Sequence, residues 1–318
     1  LLLVLSRILY PNSKKATYEN KNIFFEKFDF SEDDMYRSLT YLKSYKEELE
    51  LLLWNNTKDK YNRNNSKTFY DCTNYYFEID IPRDDKQKGP SKEHRVDPII
   101  GQALLLDSDL VPLSMRMYPG NESEKPYIRK GIEEMKQKCK VKGKTIQVAD
   151  KGLNCARNIY AAVKEANDGY IFSKSIHGKG LNDTEKQWLL LENNENVYTS
   201  YCDSKGNISF RLKSCIDTFI YKFKEEDSET GISTETVFTV KEKRVVSFNP
   251  SLAAKQKAEI MRMVEKASNY TTFKMLTTEE LGESSKYVRI INKDKNGKNI
   301  KPVMELNKNK IEEDLKFA

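Results

Sequence analysis

Three features of the sequence predict a mixed α/β fold. Aromatic and β-branched runs crowd residues 68–118, helical segments alternate with short apolar runs over residues 121–174, and a β-rich stretch with hairpin turns follows residue 175. At 318 residues, with 38% hydrophobic and 32% charged side chains, the chain can bury a sizeable core and form two or three domains.

Residues 1–66 read as a helical N-terminal region. Ser31 precedes Glu32, Asp33 and Asp34 as an N-cap with acids in the first turn, and Met35, Leu39, Leu42, Leu49 and Leu51–Leu53 carry an apolar face. Such a region is either a DNA-end-binding domain or a packing helix bundle. The Asn-rich, charged run from Trp54 to Ser66 reads as a linker.

Residues 67–175 form the predicted core. Thr68–Ile81, Ile99–Leu106 and Val111–Tyr118 are strands, the last two joined through a turn at Asp107–Leu110. Asn121–Cys139 is a helix, Lys144–Ala149 a strand, Asn154–Ala166 a helix with Asn154 as its N-cap, and Gly169–Lys174 a strand. A three-stranded meander followed by helix, strand, helix and strand is the order of a ribonuclease-H-like mixed sheet core.

Residues 176–318 are β-rich with helices. Strands are predicted over Val197–Cys202, Ile208–Phe219, Thr236–Val240 and Val245–Phe248, with Lys241–Arg244 as a charged turn. The helix predicted over Ser251–Ala267 carries Lys255, Lys257, Arg262 and Lys266, interrupted by Glu259 and Glu265; this face either tracks a phosphate backbone or is simply solvated. A polar turn over Asn292–Asn299 and a helix over Lys308–Phe317 follow, and no internal repeat is evident.

Composition narrows the function classes. No run approaches the roughly 20 apolar residues of a membrane span, Arg7 breaking the leucine-rich start, and no signal peptide is evident. Five cysteines without a C-x-x-C pair argue against a disulfide framework and a structural zinc site, and point to a reducing, cytoplasmic compartment. With only His94 and His177, any metal would be held mainly by oxygen ligands, which favours magnesium or manganese over zinc. The net charge of +6 is compatible with nucleic acid without requiring it.

The residues that carry chemistry are Asp71, in Phe69-Tyr-Asp71-Cys-Thr-Asn-Tyr-Tyr-Phe-Glu-Ile-Asp80, and Asp150, in Thr145-Ile-Gln-Val-Ala-Asp150-Lys-Gly-Leu-Asn154. Each acid sits among residues that favour a buried strand, and a buried carboxylate is costly unless a cation or hydrogen-bond donors compensate it. In the predicted sheet the first and fourth strands are neighbours, so the two acids converge. Paired carboxylates can hold two magnesium ions roughly 3.5–4 Å apart, one activating a water or 3′-hydroxyl and the other stabilising the leaving oxygen of a phosphodiester. The plainer reading makes Asp71 an edge-strand residue and Asp150 a turn or helix-capping acid.

Four ordered blocks bear on that choice. They are Tyr70-Asp71-Cys-Thr-Asn-Tyr-Tyr-Phe-Glu78; Gly89-Pro-Ser-Lys-Glu-His-Arg95 with Asp97-Pro-Ile-Ile-Gly-Gln-Ala-Leu-Leu-Leu-Asp107; Pro112-Leu with Tyr118-Pro-Gly-Asn-Glu-Ser123; and Val148-Ala-Asp150-Lys-Gly-Leu-Asn154. Together they resemble the successive blocks of bacterial insertion-sequence DDE transposases, in the branch with a β-rich insertion between the second Asp and the final Glu. The resemblance covers residues 20–318. It implies a protein that binds terminal inverted repeats and target DNA, cuts and joins DNA with Mg2+ or Mn2+, and acts as a homodimer around paired ends. It implies that Asp71 and Asp150 are the first two acids of the catalytic triad and metal ligands, and that residues 176–318 form the insertion.

The family's third acid is a Glu on a helix after the insertion, in a Tyr…Arg…Glu…Lys context that has no match here. Tyr287 and Arg289 are too close together, and Glu312 and Glu313 lie in a stretch like that before the insertion's last strand. The third acid is therefore expected beyond Ala318, and the chain, lacking an initiator Met, is expected to be a fragment. Two alternatives stay open: a catalytically inactive DNA-binding remnant, and a related metal-dependent nuclease.

Weaker candidates for DNA contact are Lys92, His94 and Arg95 before the second strand, and Lys151 beside Asp150; each is otherwise a solvated loop residue. Trp188 either stacks on an unpaired base at the transposon end or packs in the core. A helix cap explains Asn121 and Glu122 as well as a ligand role does.

Overall fold

The chain divides into two units, Leu1–Phe172 and Ser173–Ala318. The computed structural model describes residues 1–90, 96–141, 143–176, 181–190, 198–226, 230–272, 279–293 and 299–318.

In the first unit, helices α1 (Leu2–Leu9), α2 (Lys14–Glu19), α3 (Glu32–Ser44) and α4 (Lys46–Thr57) precede the sheet. Helix α3 starts where the sequence predicts. Ser31 Oγ accepts the Asp34 N–H at 3.2 Å and the Asp34 carboxylate accepts the Ser31 N–H at 3.0 Å, closing a capping box. Hydrogen bonds from Ser31 and then Arg37 hold the Asp34 carboxyl down at about 2. The predicted apolar face is buried at Met35, whereas Leu42, Leu49 and Leu51–Leu53 are exposed.

The Trp54–Ser66 segment is not a linker. Helix α4 continues to Thr57, Trp54 enters the core, and Arg63 Nε donates to the buried Asp107 carboxylate at 2.7 Å with its guanidinium 5.1 Å from the Trp54 ring centre. A polar composition reads as a loop because it does not record which distant partner a side chain meets.

Strands β1 (Lys67–Tyr76), β2 (Ile99–Leu106), β3 (Pro112–Pro119), β4 (Ile146–Ala149) and β5 (Gly169–Phe172) form one mixed sheet in the order β3-β2-β1-β4-β5. The β3-β2-β1 meander is antiparallel, and β4 and β5 add in parallel. Asp107 builds the β2–β3 turn, its Oδ1 accepting the N–H groups of Asp109 and Val111. Strand β1 alternates strictly, so Thr68, Tyr70 and Cys72 are buried on one face. Helix α5 (Lys125–Lys138) covers that face, with Ile128, Ile132 and Met135 in the same core as Tyr70. Gly101 is required there, since a Cβ would fall 2.1 Å from the Tyr118 ring. The other face is more open, with Tyr75, Met117, Ile146 and Ile171 exposed. Beneath the β4–β5 pair, buried Asp168 accepts from Lys136 Nζ at 2.5 Å, Thr145 N at 2.9 Å and Gln147 Nε2 at 2.9 Å.

Helix α6 (Ala156–Tyr160) continues as a π turn over Ala161–Glu165. Its N-cap is Cys155 rather than Asn154, because the extended backbone at Cys155 delays the first helical turn by one residue.

The second unit contains α7 (Asp183–Leu190), an antiparallel sheet of β6 (Thr199–Cys202), β7 (Ile208–Glu226) and β8 (Ser233–Phe248), helix α8 (Pro250–Thr272), the pair β9 (Val288–Lys293) and β10 (Asn299–Leu306), and α9 (Lys308–Phe317). Lys241–Arg244 is not a turn. Strand β8 runs straight through it, with Lys241 opposite Thr218 and Arg244 opposite Cys215. Arg244 and Glu242 pair on one face at 2.5 Å while Lys241 and Lys243 face outward, so the charge alternates as a strand requires. Ala253, Ile260 and Ala267 are the buried stripe of α8, with Lys255, Lys257, Arg262 and Lys266 exposed. Val197 and residues 294–298 of the predicted polar turn lie outside the described residues. Among the described residues, no helix is long and apolar enough to cross a membrane.

Candidate functional site

The last paired residues of β1 and β4 are Tyr70 and Ala149. Asp71 and Asp150 are the next residue on each chain, and neighbouring strands lie about 4.8 Å apart. Strand pairing therefore places Asp71, within β1, beside the point where β4 stops, although a long segment separates the two acids in sequence. Contrary to the expectation from the surrounding apolar residues, both are exposed. The period of two explains it: Asp71 takes the face opposite Tyr70 and Cys72, and Asp150 has already left the strand. Asp71 Oδ1 accepts the Cys72 N–H at 2.8 Å, and an Asx-type turn from Asp150 Oδ1 to the Gly152 N–H at 3.0 Å holds the Asp150 carboxylate.

Buried groups fix the loop that carries Asp150. Leu153 is fully buried, and the buried Asn158 donates from Nδ2 to the Leu153 carbonyl at 2.7 Å while its Oδ1 accepts from Arg129 Nη1 of α5 at 2.7 Å. The Asp150-Lys-Gly-Leu turn is thus tied at once to α5 and α6. Glu124, at the N-terminus of α5, reaches the same loop: a Cβ on Gly152 would lie 2.4 Å from Glu124 Oε1 and 3.3 Å from Asp150 Oδ1. Only a glycine lets both carboxylates crowd that position. Sequence reasoning missed Glu124, Arg129 and Asn158, since no local pattern marks a contact between a helix start and a distant loop.

Among the described residues, no group of three or more His, Cys, Asp or Glu side chains is placed to hold a metal ion. The donors offered by Asp71 and Asp150 are carboxylate oxygens, which suit a hard divalent cation. Magnesium commonly takes one or two protein carboxylates and fills its other positions with water and phosphate oxygens. On the covered face, a cavity bordered by Tyr70, Ser114 and Arg116 has a volume of about 10 Å³, room for one water molecule at most. Phenol burial there pushes the Tyr70 hydroxyl pKa upward.

Lys151 follows Asp150 and is exposed. Lys92, His94 and Arg95 lie outside the described residues. Trp188 belongs to the second unit, half-buried on α7, where Lys213 Nζ stands 4.8 Å from its ring centre and 4.8 Å from that of Tyr198. Its indole is engaged in packing in this structure.

No family model matches the sequence, and no curated protein matches it. Solved structures with partial likeness include transposases. They include a cryo-EM piggyBac transposase synaptic complex with hairpin DNA, at 11% identity and TM-score 0.30 over 47% of this chain and 30% of that one. The Mos1 transposase paired-end complex with left transposon end is 12% identical, TM-score 0.24, over 53% of this chain and 56% of that one. The Mos1 strand transfer complex is 12% identical, TM-score 0.24, over 60% and 61%. The chain spans less than two thirds of each of these proteins.

Proposed function

We propose that this protein is a DDE-type transposase with a ribonuclease-H-like core, cutting and joining DNA ends by metal-dependent phosphodiester transfer. The observation that supports it best is the position of Asp71 and Asp150, each one residue beyond the last pair of the neighbouring strands β1 and β4. The β3-β2-β1-β4-β5 order and the four sequence blocks point the same way. An exposed acid pair beside the more open face of the sheet suits a long polymer laid across the surface.

Asp71 and Asp150 are the ligands that would hold magnesium or manganese. Bound there, the metal would activate a water or 3′-hydroxyl and stabilise the leaving oxygen. Asn158 and Arg129 position the Asp150 loop, and Lys151 is the nearest candidate for a scissile-strand phosphate. Terminal inverted repeats and target DNA are the proposed substrates, with two copies pairing the ends.

The test is magnesium-dependent nicking of a duplex carrying a repeat end. Asp71→Asn and Asp150→Asn are each expected to abolish nicking with an unchanged melting temperature; nicking that survives either change overturns the assignment. A catalytically inactive DNA-binding remnant is the second reading, favoured by the absence of a three-acid group among the described residues. It predicts DNA binding by the wild-type chain without nicking in magnesium or manganese.

A further inference from the structure

Among the described residues, strand β7 beyond its pairing with β6 at Ile208–Leu212 pairs only with β8, making a two-stranded ribbon from Lys213↔Val246 to Glu226↔Ser233. Its two faces differ in kind. One carries Phe219, Tyr221, Phe238 and Val240, with Phe238 and Val240 buried and the Tyr221 and Phe238 rings stacked at 5.6 Å. The mid-ribbon acids Asp217 and Glu242 sit opposite one another on this same side, where Glu242 engages Tyr221 and Arg244.

The other face is open, with Ile216 63%, Ile220 73% and Val237 60% exposed. Lys222, Lys241 and Lys243 stand among them, and from Ser214 to Lys222 and from Val237 to Val245 this face has no carboxylate. None of the three lysines makes an ion pair among the described residues. Farther out, Lys224 lies opposite Glu235, and Glu226 closes the ribbon opposite Ser233, so the unopposed charge is confined to the middle. Lys243 is opposite Ile216 and Lys222 lies six residues farther along β7, about 20 Å at the usual strand rise.

We infer that this ribbon face is a binding surface for double-stranded DNA, with Lys222, Lys241 and Lys243 on the phosphates and the Thr218, Ile220 and Thr239 side chains toward the groove. Unpaired lysines segregated from every mid-ribbon acid contribute nothing to folding, and a polyanion is the partner whose charge complements them. The shape agrees, since the major groove of B-form DNA admits a two-stranded ribbon, and some 20 Å covers about six base-pair steps. The choice of DNA as the polyanion rests on the proposed function; the charge and shape arguments stand without it.

The experiment measures binding of the whole chain to a fluorescent duplex across a salt series. The wild-type slope of log K against log salt should fall by about 2.7 in the K222Q/K241Q/K243Q variant, which removes three phosphate contacts. A charge-matched control, K255Q/K257Q/R262Q on α8, should change the slope much less, and Glu235→Gln should steepen it by removing the carboxylate opposite Lys224. Equal slopes in the ribbon and α8 variants overturn the ribbon site while leaving the DNA reading intact. Failure of the wild-type chain to bind duplex DNA overturns the DNA reading itself. Equal binding to duplex RNA, whose deep, narrow groove excludes a ribbon, overturns the groove placement.

Discussion

The buried acids of the first unit and the β7–β8 ribbon face of the second use charge in opposite ways. In the first, Asp107 and Asp168 have fully buried side chains and are matched by Arg63 at 2.7 Å and Lys136 at 2.5 Å, each carboxylate also accepting backbone N–H groups. On the β7–β8 ribbon of the second, Lys222, Lys241 and Lys243 face solvent and no mid-ribbon carboxylate shares their side. Buried, saturated pairs shape turns and strand ends; they are architecture, because an unpaired charge inside would be prohibitive. Exposed charge gathered on one face and left unmatched has no such role and needs an outside partner. Asp71 and Asp150 are likewise exposed, although they sit in the first unit.

The sharpest way to break the contrast is to unpair a buried charge. Arg63→Met leaves Asp107, whose side chain is 0% exposed, with its turn N–H donors but no cation, and is expected to cost about 3–5 kcal/mol in urea unfolding. Replacing the exposed lysines one at a time by Gln should cost no more than about 0.5 kcal/mol each. A ribbon lysine as costly as Arg63 would refute the division into architecture and display.

Asn158→Ala tests whether the acid pair depends on the buried scaffold beneath it. It removes the donor to the Leu153 carbonyl and the acceptor used by Arg129, and is expected to cost about 2–3 kcal/mol. Because Asp150 rides on that loop, nicking should fall much further than folded fraction, while the salt slope of DNA binding stays at the wild-type value. Equal loss of both activities would show that the loop is not specifically a positioning device.

Period and turn chemistry made most of the sheet readable. The bounds of β2 and α9 agree with the expected Ile99–Leu106 and Lys308–Phe317, the Ser31 cap lies where it was expected, and the Asp107–Leu110 turn joins β2 to β3 as its position predicts. What composition obscured was long-range pairing. Arg63 stands in an Asn-rich run and meets Asp107 forty-four residues away, and Lys241–Arg244 reads as a charged turn until its alternation is matched to β7. The adjacency of the strands that carry Asp71 and precede Asp150 was foreseeable from strand order, whereas the exposure of both acids depends on which face each takes, which apolar neighbours do not record. Glu124 and Asn158 were invisible for the same reason as Arg63: their partners belong to other elements.

Glu50 lies between the two extremes and gives the finest test. Its side chain is 15% exposed at the junction of α4 with β3, where it takes Lys46 at 2.9 Å, Lys138 at 3.1 Å and the Met115 N–H at 3.0 Å. Burial alone would raise its pKa, but these partners outweigh burial and hold the carboxyl below its ordinary value of 4.5. A depressed folded-state pKa means that the stabilisation is fully present above about pH 4.5 and is lost as the pH falls through the lower folded value. With solvent screening, the effect should be on the order of 1 kcal/mol. Glu50→Gln should therefore lower the urea midpoint at neutral pH and flatten part of its decline on acidification, the two proteins converging at low pH. Curves that stay parallel throughout would mean that Glu50 contributes through packing alone, and would move it from the paired architecture of the first unit to its neutral core.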